Sequence, residues 1–188
     1  MKEKPRCSWV NLKNPRYIEY HDKEWGVPKH QDQELYELLI LESFQAGLSW
    51  ECILNKRKAF RKAYDDFDIS KVVNYGEKKI EELMSNQEII RNKLKIKASI
   101  NNSKIFQDIQ KEYGTFDKYV WSFTNDKVIY EDPTIISSKL SDTISKDLQS
   151  RGMKFVGTVI IYSYLQAIGM IHSHDRICFC YHGQERKN

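Results

Sequence analysis

Between Asp32 and Gly47 the chain reads DQELYELLILESFQAG, with apolar residues at 35, 38, 39 and 41 recurring at helical spacing and a glycine ending the run. The same period returns along almost the whole chain. It appears in SWECILNKRKAFRKAY, where Ser49 is a suitable N-cap, and in GEKKIEELMS. The long stretch NQEIIRNKLKIKASINNSKIFQDIQKEYG reads as one helix stopped by Gly114, and TFDKYVWSF as a short aromatic helix. SDTISKDLQSRG and VGTVIIYSYLQAIG add two more, joined by MKF. Only residues around 127–130, ahead of Pro133, suit an extended strand. A chain so uniformly helical must bury helix against helix, which predicts an all-α fold. One domain over residues 1–188 is expected, with its helical core at about 32–170.

Glu42 interrupts this pattern. It follows Leu38, Leu39, Ile40 and Leu41 and precedes Phe44, so a carboxylate sits in the most apolar part of the chain. A buried glutamate needs a partner or a task; the alternative is a solvent-facing residue paired with a lysine of the next helix. Upstream, CSWVNLKNPRYIEYHDKEWG crowds Trp9, Tyr17, Tyr20 and Trp25 into one polar segment with too little apolar periodicity for a plain core helix.

Bulk properties narrow the class. At 188 residues, 40% hydrophobic and 30% charged, the chain suits a globular protein that buries about 70% of its unfolded surface. No run of 18 apolar residues predicts a membrane helix, and MKEKPRCSWV has no signal-like apolar region. A reducing cytoplasm is the expected compartment. A formal charge of +4 favours a polyanionic partner without requiring one. No apolar stripe is left over for self-association, so a monomer is expected.

The two ends carry the unusual chemistry. In a reducing compartment, four cysteines point to metal or catalysis before disulfides. Cys7 and His21 lie near the start, and His174 and Cys178 lie four apart near the end, where one helical turn would present both on one face. Together they form a Cys2His2 set suited to tetrahedral zinc, with Cys180, His172 and His182 as rival donors. A site closed by four protein ligands is structural; an open one would make the protein a metallohydrolase. Cys52, within an apolar helix, reads as core. LQSRGMKFVGTVIIYSYLQAIG is helix, short turn, helix. Gly157 opens the second helix, whose free N–H groups, with Lys154, Arg151 and Thr158 beside them, suit a phosphate. This resembles a helix-hairpin-helix, a grip on the DNA backbone that reads no sequence.

The motifs CSWV, YIEYHDKEWGVP, LESFQAGLSW, YVWSF, RGMKFVGTVIIYSYLQAIG and the terminal His-x-x-x-Cys occur in this order from Cys7 to Cys178. In that combination the chain resembles the 3-methyladenine DNA glycosylase I family of the helix-hairpin-helix superfamily. The resemblance implies monofunctional hydrolysis of the N-glycosidic bond of cationic alkylated adenine in double-stranded DNA. It also implies one structural zinc tying terminal segments 1–31 and 171–188 together through Cys7, His21, His174 and Cys178. The base pocket maps onto Tyr17, Tyr20, Trp25, Glu42 and Trp50, with Glu42 in the catalytic position. Departures from the family pattern are Ser43, where many members carry glycine, bulky Phe44, and His172-Ser173 before the terminal histidine.

On this reading, Tyr20 and Trp50 sandwich the flipped base, and Glu42 accepts hydrogen bonds from its amino edge while favouring its positive charge. Gly47 and Leu48 lie on the turn beside the pocket, where the leucine could fill the gap left in the base stack. Lys154, Gly157 and Thr158 would hold phosphates. The rival from another class is a non-catalytic module that binds damaged DNA without releasing a base.

Overall fold

The computed structural model describes residues 4–182. Among these, helices α1 (Pro15–Lys23), α2 (Asp32–Gln45), α3 (Trp50–Ala63), α4 (Ile69–Val72), α5 (Glu77–Ser85), α6 (Lys93–Tyr113), α7 (Phe116–Ser122), α8 (Lys139–Ser150) and α9 (Thr158–Ala167) dominate. The two-residue strands β1 (Ile129–Tyr130) and β2 (Ile171–His172) pair in parallel, Ile129 opposite Ile171 and Tyr130 opposite His172. No described helix is long and apolar enough to cross a membrane.

Helix α2 is the centre. Every residue from Leu35 to Phe44 is buried, and α3, α6, α7 and α9 all pack on it. A helix covered on all sides must be apolar on all sides, which is why its sequence reads almost without a polar face. Its N-terminus carries Asp32, whose carboxylate accepts from the backbone N–H groups of Phe116 and Asp117 and so also caps α7. At its C-terminus the carbonyls of Phe44 and Ala46 accept from Lys95 Nζ on α6 at 2.8 and 2.5 Å. A cation at a helix C-terminus satisfies orphan carbonyls and complements the dipole.

The same helix α6 also grips the connection between α8 and α9. Asn102 exchanges two hydrogen bonds with the backbone of Lys154, at 2.8 and 2.9 Å, and Asn101 donates to the carbonyl of Gly152. Ser145 on α8 donates to the Val156 carbonyl. The turn after α2 and the turn before α9 are thus set on one rigid element.

The segment following α1 runs along the end of α9. Gly26 N–H donates to the Gln166 carbonyl, Lys29 N–H to that of Ile168, and Lys29 Nζ to the carbonyls of Glu24, Val27 and Ala167. Gly169 lies so close that a Cβ there would stand 2.3 Å from Val27 and Pro28 backbone atoms, and its φ is +74°. Only glycine meets both conditions.

Several sequence expectations change. The long helix expected from Asn86 begins at Lys93. Asn86 accepts from Glu88 N–H and Asn92 from Lys95 N–H, so two asparagine side chains offer the backbone local partners outside a helix. The polar aromatic segment does contain a helix, α1, started by Pro15 behind the Asn14 cap. His174 and Cys178 are joined by a turn rather than a helix, with Cys178 N–H donating to the Asp175 carbonyl. Cys52 is half-buried on α3, not in the core. Gly169→Ala is expected to cost about 3 kcal/mol of stability, read by urea unfolding; a change within 0.5 kcal/mol would contradict the close packing described.

Candidate functional site: an acidic aromatic cavity beside a cysteine-histidine cluster

A cavity of about 250 Å³ opens between α1, α2, α3 and α9. Its deep wall brings together Tyr17 and Tyr20 from α1, Trp25 just beyond it, Glu42 from α2 and Trp50 from the first turn of α3. All five sequence-selected pocket residues therefore share one space. Ser49 fixes Trp50 by capping α3, accepting from Cys52 N–H at 3.2 Å.

Glu42 is only 3% exposed, and its Oε2 has no protein hydrogen-bond partner. Removal from water, without a neighbouring cation, pushes its carboxyl up to about 8. Burial and, after it, nearby carboxylates act on the two phenols. Burial first, then the charges of Glu51 and Glu42, push Tyr17 up to about 12; burial, followed by Glu42, raises Tyr20 well above the usual tyrosine value. Both therefore stay O–H donors well into alkaline solution. Trp50 Nε1 and Gln45 Oε1 are two further buried polar atoms without partners. Such groups are costly unless a bound molecule satisfies them.

The rings do not form two jaws. Tyr20 and Trp50 lie 5.4 Å apart between centroids, in direct contact. A planar base needs about 7 Å between two stacking rings, so the expected sandwich is replaced by one continuous wall. Trp9 extends that wall, 5.4 Å from Tyr17 and 4.8 Å from Trp25.

The opposite side was not foreseen from sequence. Val159, Tyr162, Ser163 and Gln166 of α9 face the cavity, with Ser173 and with Pro133, Ile135 and Ile136 of the β1–α8 connection. The α9 residues recur at i, i+3, i+4 and i+7, a signal visible in the sequence once that face is known to be lined. Behind the α1 wall, Arg57 bridges Glu37 at 2.6 Å and Glu24 at 2.7 Å, binding α1, α2 and α3 into one block.

Gly47 and Leu48 are exposed on the turn between Glu42 and Trp50, and Gly47 has φ +77° with open space around it. Lys154 is exposed and Gly157 opens α9 without a side-chain cap. Thr158 is engaged inward: its hydroxyl donates to Asp142 at 2.6 Å and meets Ser141 at 2.8 Å. Arg151 is held by Glu112 and Asp147.

Next to the cavity, Cys7, His21, His174 and Cys178 place their donor atoms within 4.8 Å of one another, all buried. Sulfur-to-nitrogen separations are 3.3 Å for Cys7–His174, 3.4 Å for Cys178–His21 and 3.6 Å for Cys178–His174. A tetrahedral zinc with ordinary bond lengths requires about 3.6 Å along such an edge. His21 turns its other nitrogen to Asp22 at 2.8 Å, and Arg6 clamps Asp22 with two bonds. That is the carboxylate support typical of a metal-bound histidine. The residues fit the ion in number, donor type and spacing. The rivals Cys180, His172 and His182 stand outside the group; His172 lies in β2 and accepts from His182 N–H.

A helical protein whose central helix delivers one buried acid into an aromatic cavity defines a small-molecule or base-binding class of site. The sequence profile of the methyladenine glycosylase family matches residues 9–181, and the chain belongs to that family. DNA-3-methyladenine glycosylase 1 of Escherichia coli (strain K12) is 41% identical over 187 residues, spanning 96% of this chain and 98% of the relative. The DNA-3-methyladenine glycosylase of Haemophilus influenzae is 37% identical, over 93% and 97% of the two chains. A crystal structure of 3-methyladenine DNA glycosylase I superposes with a TM-score of 0.90 at 38% identity, covering 94% of this chain and all of the other. The Staphylococcus aureus enzyme, solved to explain 3-methyladenine recognition, gives 0.88 at 35% identity over 92% and 94%.

The raised Glu42 value makes stability depend on pH. The folded protein keeps a proton that the unfolded chain releases between pH 4.5 and about 8. Its contribution is therefore full below pH 4.5 and is lost as pH rises through about 8, with a slope of up to about 1.4 kcal/mol per pH unit. Glu42→Gln removes this dependence. The variant's Tm is expected to gain on the wild type between about pH 5 and about pH 8.5; an unchanged difference would show that the acid is not desolvated.

Proposed function

We propose that this protein is a monofunctional DNA glycosylase that hydrolyses the N-glycosidic bond of 3-methyladenine in double-stranded DNA, the whole chain acting as one domain and as a monomer. The observation that carries the reading is the partnerless, buried Glu42 carboxyl within an aromatic cavity. Family membership and the glycosylase activity for which relatives 41% and 37% identical are named support it.

N3-methylation places a positive charge on the ring and weakens its glycosidic bond, so selection is the harder task. Before a base binds, burial pushes the Glu42 carboxyl up to about 8, which favours its protonated form at neutral pH. A cationic base entering beside it favours the carboxylate, which then accepts charge-assisted hydrogen bonds from the amino edge. Neutral adenine offers no such compensation. Stacking of a desolvated cation on the Tyr20–Trp50 wall adds about 2 kcal/mol, or about 30-fold. Tyr17 and Trp25 complete the base-binding set.

In the reaction the bond from sugar C1′ to the base breaks and its electron pair neutralises the ring. Water oxygen bonds to C1′, and its proton leaves to solvent. The ionised Glu42 selects the cationic base on binding. In the transition state its field favours the positive charge that develops on the oxocarbenium-like sugar as the ring loses its own. No lysine is among the described residues that line the cavity, and the step is proposed to end at an abasic site without strand cleavage.

The turn at Gly47 and Leu48 supplies the wedge that fills the vacated stack, and Lys154 with the N–H groups beginning at Gly157 and Thr158 holds the backbone. The Thr158 hydroxyl is already engaged by Asp142, so its part is through the main chain. Cys7, His21, His174 and Cys178 would hold a structural zinc, since four protein donors would satisfy a tetrahedral ion, and the ion would link the segment before α1 to the one after β2.

Incubation of the protein with methylated duplex DNA should free 3-methyladenine, identified by chromatography; binding without release would favour the non-catalytic alternative. Glu42→Gln is expected to lower kcat/KM by about 100-fold. Elemental analysis should find about one zinc per chain, lost together with several degrees of Tm in Cys178→Ser; equal metal in both proteins would remove the zinc assignment.

A further inference from the structure

The cavity has a steep gradient in exposure. At its floor, Glu42 and Tyr20 are each 3% exposed, Ser173 3% and Tyr162 1%. At its mouth stand Ile135 at 37%, Val159 at 48% and Ile136 at 68%. Large aliphatic side chains grouped around the opening of a polar-floored cavity mark a contact surface rather than scattered surface residues.

The segment bearing them is built to hold its shape. The Asp132 carboxylate accepts from Thr134 N–H and from the Thr134 hydroxyl at 3.0 and 2.6 Å, and Ile135 N–H donates to the Asp132 carbonyl. The β1–β2 pair and the Glu131 N–H to His172 carbonyl bond fix its near end. Val159 comes from the first turn of α9. Two different parts of the fold thus converge on the same rim.

We propose that Ile135, Ile136 and Val159 form the seat for the deoxyribose of the extruded nucleotide, and so set affinity for the lesion in DNA rather than for the base itself. The inference rests on the reading of the cavity as a base pocket. Once the amino edge of the base meets Glu42 at the floor, the glycosidic bond points outward and the sugar must lie at the mouth. Its C2′ methylene is apolar and finds an aliphatic wall there, while the sugar oxygens and phosphates remain in water. The aromatic wall and Glu42 select the base; the aliphatic rim selects what is attached to it.

The test is the paired variant Ile135→Ser, Ile136→Ser, both positions being exposed enough to leave folding intact. The expected result is a KM for methylated duplex DNA raised about 10-fold, from loss of roughly 60 Å² of apolar contact, with kcat and the Kd for free 3-methyladenine each held within about twofold. Unchanged KM, or a parallel loss of affinity for the free base, would overturn the proposal. Should the wild type release no base, the function assigned above fails separately. The rim is then read from binding to duplex DNA carrying a tetrahydrofuran sugar without a base: weaker binding by the variant supports it, and equal binding overturns it.

Discussion

A carboxyl group taken out of water without a partner is the constraint around which this molecule is organised. Glu42 can be held there because α2 is enclosed by α3, α6, α7 and α9 and cannot rotate its acid to the surface. The cost of that burial appears as a carboxyl raised to about 8. On the proposed function it is also the source of selectivity, since a ligand that brings positive charge makes ionisation favourable. The aromatic wall, the exposed turn at Gly47 and Leu48 and the aliphatic rim are arranged around that one group.

Rigid placement follows from a few long-range ties. Helix α6 holds the turn after α2 through Lys95 and the turn before α9 through Asn101 and Asn102, so two proposed DNA-facing turns keep a fixed separation. At the other side, Lys29 and Gly169 seat the segment after α1 against the end of α9. That seat carries Trp25 into the cavity and brings His21 to His174 and Cys178. A Cβ on Gly26, at φ +73°, would stand 3.0 Å from the His174 ring, so cluster and cavity share a wall. A metal in that cluster would therefore steady the aromatic side of the pocket.

Much of this was legible in the sequence because it was written in period and punctuation. The α2, α3, α7 and α9 segments, with their caps and glycines, read directly as helices. Glu42 stood out as a charge in an apolar run, and the four donors as paired Cys and His at the ends. What escaped depends on distant partners. The helix expected from Asn86 starts later because Asn86 and Asn92 bind their own backbone. Strand β2 at Ile171–His172 exists only because β1 is beside it. The sandwich of Tyr20 and Trp50 failed since ring separation is a tertiary quantity, and the aliphatic rim has no local signature at all.

The central claim, that a positive ligand draws the buried acid into its charged form, can be measured at the acid itself. Carbon-13 NMR of the Glu42 side-chain carboxyl, titrated in the empty protein and with a permanently cationic N-alkylated adenine bound, reads it directly. The expected result is a midpoint near 8 in the free protein and a fall of about 2 units or more with the cation in place. An ordinary glutamate midpoint in the empty protein, or one that the cation leaves unmoved, would contradict it.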